Sequence, residues 1–351
     1  MTEKPRRRHL AYQLGKQALA LLVCGVSLYI VLPSMLTVFG AWPELGDVKP
    51  YWFVAIVVLE SLSMALLWLL YRIALSTKDW TDVALSQLAG NAATRVIPGG
   101  AASGAVVQGG LLVRAGMDTG RVATALAASG LLTTGVLLAL PVLAIPAAFL
   151  GPPLAHTLQL GLEFSLVVGA LLVGLGYSML KWDRFAGGAF RLVGRLVALV
   201  RRKSSRERVA ARLLEERDQV AGALDKRWIR ALSSAAASRM ADYAVLVAAL
   251  IAVGAQVRPS LVLVAYVAAM ALGMVPITPG GVGIVEAGLT GFLVLAGVPS
   301  DQAVVGTLLY RLASFWFPIP VGLVAWLVAR LRGPGALAGR HLATEEGGAR
   351  A

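Results

Sequence analysis

A chain of 351 residues, 58% of them hydrophobic and with a mean hydropathy of +0.74, is too apolar for a water-soluble domain of that size. Its formal net charge of +13 gathers between apolar runs, which points to anionic lipid headgroups as partners and argues against nucleic acid. The single cysteine, Cys24, excludes an intrachain disulfide, and His9, His156 and His341 have no ligand spacing, so neither a metal nor a cofactor is expected.

Residues 1–17 read as a basic N-terminus carrying Lys4, Arg6, Arg7, Arg8 and Lys16. The apolar run at 18–39 is longer than a signal-peptide core and ends without a small-x-small cleavage site, so it reads as an uncleaved anchor. With it, full spans are expected at about 18–39, 52–74, 121–149, 158–180, 231–255 and 303–330, each near the roughly 20 apolar residues that cross a bilayer. Residues 181–230 carry fourteen Lys/Arg against six Asp/Glu and read as a basic cytoplasmic loop with amphipathic stretches at 190–200 and 209–224. Putting that loop and both termini on the cytoplasmic side leaves only Lys49 and Arg258 outside, with Glu44, Asp47 and Asp301. The tail at 333–351, rich in Gly, Ala and Glu, reads as disordered.

Two apolar stretches are too interrupted to be full spans. The first, about 82–116, breaks at Pro98, Gly99 and Gly100; the second, about 260–298, breaks at Pro276, Pro279, Gly280, Gly281 and Gly283. Proline stops a helix by lacking the N–H, so each stretch is expected to be a re-entrant hairpin of two half-helices. A shift of 181 residues superposes the two breaks and also matches Gly110, Leu112, Val113, Ala115 and Gly116 with their counterparts, eight of nineteen positions in all. The same shift carries the span at 52–74 onto 233–255. The expected fold is therefore an all-α polytopic membrane protein with six full transmembrane helices plus two re-entrant broken hairpins. It forms one transmembrane domain over 18–332, with inverted-topology repeats at about 52–149 and 233–330.

Ionisable side chains inside spans each cost roughly 2.5–3.5 kcal/mol on insertion scales, so they mark where chemistry is to be sought. Six qualify: Glu60, Arg95, Arg239, Asp242, Glu286 and Arg311. Arg239 and Asp242, three apart on one helix, are expected to pair with each other. Glu60 has no such neighbour and must face the protein interior, as a structural bridge or as a substrate contact. Glu286 falls early in a half-helix, where the dipole favours a carboxylate, and Arg311 is either its counter-charge or a guanidinium for a lipid phosphate. The candidate substrate-binding set is Pro98, Gly99, Gly100, Pro279, Gly280, Gly281, Glu286, Arg311, Glu60 and Arg95. There is no G-x-S-x-G elbow and no P-loop, so no enzymatic activity is expected.

The segment Thr278-Pro279-Gly280-Gly281-Val282-Gly283-Ile284-Val285-Glu286-Ala287, followed by Ala296-Gly297-Val298 and Tyr310-Arg311, resembles the lysylphosphatidylglycerol synthase transmembrane region, or flippase-like family. The resemblance spans about residues 15–332. It is less sharp from Asn91 to Gly116, where the family's Pro-Gly loop is followed by Gly-Glu and this chain reads Pro98-Gly99-Gly100-Ala101-Ala102-Ser103-Gly104, without the acid. The resemblance implies movement of a lipid between leaflets of a bacterial inner membrane by a stand-alone membrane half without transferase activity. A secondary transporter of a small ion or solute, and a non-transporting scaffold for a lipid-modifying enzyme, are the alternatives carried forward.

Overall fold

A computed structural model describes residues 48–97, 100–140, 227–273 and 279–332. The expected spans at 18–39 and 158–180, nearly all of the 181–230 loop, both termini, Cys24, the three histidines, Pro98 and Gly99 lie outside the described residues. Everything described folds as helix: α1 Pro50–Leu75, α2 Trp80–Val96, α3 Ala101–Arg114, α4 Thr119–Ala139, α5 Trp228–Ala252, α6 Pro259–Gly273, α7 Ile284–Leu295, α8 Ser300–Arg311 and α9 Pro318–Leu331. Among the described residues, four helices are long and apolar enough to cross a membrane: α1, α4, α5 and the continuous Ser300–Leu331 rod made by α8, a π-helical turn at Leu312–Trp316, and α9. Helix α5 begins at Trp228, inside the stretch expected as loop.

Helix α1 identifies its solvent. Tyr51, Val54, Val58 and Leu62 are exposed, while Glu60 and Ser63 are buried. That is the reverse of a helix on a water-soluble core, and it is the pattern lipid selects, because an apolar face costs nothing in hydrocarbon and polar groups must find partners inside. Helix α9 repeats it with Leu323, Val324, Leu327 and Leu331. Without a hydrophobic drive between them, such helices associate through close packing and interhelical hydrogen bonds. On α5, Ala231, Ser234, Ala235 and Ser238 form a buried small-residue stripe against α1. Ser63 Oγ donates to the Ser238 carbonyl at 3.0 Å, Ser238 Oγ donates to the Ser63 carbonyl at 2.9 Å, and Ser234 Oγ donates to the Leu66 carbonyl at 2.6 Å. As the numbers rise on α1 they fall on α5, so the two helices run antiparallel.

The two interrupted stretches are each helix, break, helix. Asp79 starts the first by accepting from the N–H groups of Thr81 and Asp82 at 2.8 and 3.2 Å. This N-cap supplies an acceptor to two of the donors a helix start leaves orphaned. Helix α2 ends at Val96, α3 begins at Ala101, and the pair folds back on itself. In the second stretch α6 ends at Gly273 and α7 begins at Ile284, after a 3₁₀ turn at Pro279–Gly281. The second helices finish alike. Gly116 and Gly297 take φ of 105° and 90°, and the N–H groups of Met117 and Val298 return to the carbonyls of Leu112 and Leu293 at 3.1 and 3.0 Å. Helices α4 and α8 then start at Thr119 and Ser300, again 181 residues apart.

Helix α9 packs along α2, closely enough that a Cβ on Gly322 would collide with the Leu88 carbonyl oxygen and stand 2.5 Å from Ala92 Cβ. The main core joins α5, α6, α7 and α8 around Tyr266, Leu246, Leu250, Leu289 and Leu293, all completely or almost completely buried.

Candidate functional site

The second break builds the first half of the site. Gly280 takes φ of 61°, a left-handed conformation that glycine adopts without strain, and a Cβ there would lie 2.5 Å from Phe315 and 3.3 Å from Arg95 Cα. The Pro279–Gly281 turn therefore rests on the end of α2, three residues before the first break. Beyond it, Glu286 is the third residue of α7. One carboxylate oxygen accepts from the Gly283 N–H at 2.7 Å, capping the helix start, and the other accepts from Arg311 Nε at 2.8 Å. Arg311 is buried at 6% exposure, and among the described residues only Glu286 stands within ion-pair distance of it. Its Nη2 reaches no closer than 3.5 Å to the Gly280 carbonyl, too long for a strong bond.

The local sequence of the last span explains the other arginine. In an α-helix the carbonyl of Ser314 would accept from the N–H four residues on, but that residue is Pro318, which has none. The backbone answers with a π turn, in which the Phe317 N–H goes back to Leu312 at 2.9 Å. The freed Ser314 carbonyl is taken by Arg95 Nη2 at 2.6 Å. Arg95 Nη1 donates to the Asn91 carbonyl at 3.0 Å and also to the Asn91 side-chain oxygen. Phe315, on the same turn, lies under both guanidinium groups, with its ring centre 4.1 Å from Arg311 Cζ and 5.7 Å from Arg95 Cζ. Two cations from different halves of the chain thus share one aromatic wall.

Two further acids come from α1 and α5. The expected local bridge between Arg239 and Asp242 does not form. Asp242 accepts instead from Tyr266 OH at 2.5 Å and from Tyr310 OH at 3.2 Å to one oxygen and 3.3 Å to the other. The two hydroxyls come from α6 and α8 and out-compete a neighbour on α5 itself, because the packing of three helices delivers them with good geometry. Glu60 is 7% exposed, one of its oxygens has no hydrogen-bond partner among the described residues, and the charges of Asp242, Arg95 and Arg239 act on it. Among the described residues no ion pair closes on it.

Three acids and three arginines, with the turn at Gly280, thus gather in one polar region between helices whose outer faces are apolar, Glu60 and Arg311 buried and the other four half-buried. Residues 14–322 match the family model described as lysylphosphatidylglycerol synthase TM region. The chain belongs to that family. No curated protein matches it. The lysylphosphatidylglycerol synthase TM region segment most specific to the resemblance, Thr278 to Ala287 with Tyr310-Arg311, is the one that places Gly280, Glu286 and Arg311 together.

Of the sequence candidates, Glu60, Arg95, Gly280, Glu286 and Arg311 converge in this polar region of the family domain. Gly281 continues the turn, and Gly100, at φ of 55°, caps the start of α3 with no neighbour near its α-carbon. Sequence reasoning missed Phe315, Ser314, Asn91, Tyr266 and Tyr310. One signal was available: a proline four residues beyond Ser314 announces a carbonyl in need of a donor.

Proposed function

We propose that this membrane protein moves a phosphate-bearing lipid headgroup between the leaflets of a bacterial inner membrane, with no catalytic step. The observation that carries the reading is the placing of Arg95 and Arg311 around Phe315 beside the Gly280 turn: two guanidinium groups, Arg311 buried and Arg95 half-buried among lipid-facing helices, offer planar forks and charge to a phosphate's oxygens. A headgroup would pass through the polar region while its acyl chains stayed in lipid. Glu286 orients Arg311, and Glu60 faces any cationic portion of the headgroup.

The finer architecture belongs to the same proposal: six full spans, two hairpins entering from opposite faces, and both termini cytoplasmic. Three features support it. The helix starts at 119 and 300 and the C-caps at Gly116 and Gly297 keep the 181-residue spacing, and α1 and α5, equivalent under that shift, run antiparallel. Thr119 and Ser300 are both exposed and at matching positions. Thr119→Cys and Ser300→Cys, each in a Cys24→Ser background, are expected to react with an impermeant maleimide from opposite sides, Thr119 from the cytoplasm. Reaction from the same side ends the inverted reading.

The functional test is leaflet exchange of fluorescent phosphatidylglycerol, its lysyl form and a phosphate-free glycolipid in proteoliposomes. Exchange of the phosphate-bearing lipids, and not of the glycolipid, is expected; exchange of none of them by folded protein sinks the proposal. One observation favours a second reading, a secondary transporter of a small ion or solute: the unpartnered buried oxygen of Glu60 resembles a coupling site. Gradient-driven solute uptake lost in Glu60→Gln, without lipid exchange, would select it.

A further inference from the structure

The six ionisable groups of the polar region carry an electrostatic constraint that lipid binding must obey. Fully ionised, Glu60, Asp242 and Glu286 balance Arg95, Arg239 and Arg311. Glu286 is committed to Arg311 and to the α7 cap, and Asp242 accepts from two tyrosine hydroxyls, so both are satisfied acceptors. Glu60 differs. It is buried on α1 and one oxygen lacks any donor among the described residues. Among the described residues α1 packs against α2, α4, α5 and the π turn, and the groups whose charge acts on Glu60 are Asp242 and Arg239 from α5, Arg95 from α2 and, next to the turn, Tyr310. Helix α4, which also packs on α1, brings no charge near it: Arg121 lies at the far end and donates to the Ser76 carbonyl at 3.0 Å.

A phosphate arriving between Arg95 and Arg311 adds negative charge to a region that was neutral and low in dielectric. Helix α1 packs against α2 and against the π turn that carries Phe315, so the arriving anion and an ionised Glu60 draw on the same positive charges. We propose that Glu60 is a proton-binding site linked to the anion site, so that a phosphate-bearing headgroup enters together with a proton on the Glu60 carboxylate. The proton comes from solvent, bonds to the Glu60 oxygen that lacks a partner, and returns to solvent when the headgroup leaves. No bond of the lipid is made or broken. Linkage makes the effect reciprocal, so acidification must tighten lipid binding by the factor with which lipid favours protonation. A pH difference across the membrane would then drive the lipid, which supplies directionality without a nucleotide. The inference rests on the lipid-transport reading above.

The test uses the full chain in detergent under weak buffering, with short-chain phosphatidylglycerol as the probe and a pH indicator recording proton exchange. At an alkaline starting pH, where the carboxyl of the lipid-free protein is ionised, uptake of up to about one proton per lipid bound is expected in the wild type. Expressed per lipid bound, it should fall severalfold in Glu60→Gln and return in Glu60→Asp. An infrared carboxylic-acid band that appears with lipid in the wild type and is missing in Glu60→Gln would place the proton on this residue. Lipid binding without proton uptake by the wild type overturns the linkage and leaves the transport reading intact, and it does so even if Glu60→Gln does not fold. Proton uptake that persists undiminished in folded Glu60→Gln overturns the assignment to Glu60. No binding of phosphatidylglycerol overturns this inference together with the phosphate reading on which it rests.

Discussion

Arg311→Ala is expected to abolish the exchange of phosphatidylglycerol and to destabilise the fold by about 3–5 kcal/mol, the range for breaking a buried ion pair by removing one partner. The loss is large because the Glu286 oxygen that accepts from Nε at 2.8 Å would be left charged and nearly dry, while the Phe315 face would lose its closer cation. Arg311→Lys is expected to restore part of the stability and little of the exchange. An ammonium can meet Glu286, but it cannot also keep a planar fork directed past Gly280. Thermal unfolding in detergent separates the two effects, provided exchange rates are normalised to folded protein. In the double variant Glu286→Ala, Arg311→Ala, the stability loss should be well below the sum of the single losses, because neither charge is stranded. Exchange at the wild-type rate by folded Arg311→Ala would remove this residue from the phosphate site.

Gly322→Ala is expected to cost about 1–3 kcal/mol or more, the usual range for overpacking. Gly322→Leu is expected to prevent recovery of monodisperse protein. The Cβ would run into the Leu88 backbone carbonyl and Ala92 Cβ, neither of which can swing aside. The consequence reaches the site, since α9 holds α2, and α2 carries Arg95 and Asn91. Gly130 on α4 is the matched control: a Cβ there meets nothing within 4 Å. Gly130→Ala should therefore be neutral or slightly stabilising through helix propensity. Equal losses from both substitutions would mean that the α2–α9 contact is not what Gly322 serves.

The elements of this fold were legible wherever lipid or proline dictates the local outcome. Apolar length marked α1, α4, α5 and the last span, and Pro-Gly-Gly marked both breaks, because those signals act within a few residues. The site was legible as a set of residues and not as a set of bonds. Glu286 and Arg311 could be paired in advance because the alternatives near them are few. Asp242 could not be assigned, since Tyr266 and Tyr310 approach it only after three helices pack, and the nearest basic residue in sequence proved the wrong partner. Arg95 lies between these cases: its anchor, the Ser314 carbonyl, was predictable as an orphan, but its pairing with that orphan depends on α2 lying beside the last span.

The antiparallel seam between α1 and α5 has a midpoint. With 63 facing 238, the same register brings 60 opposite 241, the position that a 181-residue shift of 60 also reaches. One half brings Glu60 to that point and the other brings Ala241. Ala241 offers the carboxylate no donor at that level of the seam, so whatever answers Glu60 has to come from a different turn or a different helix.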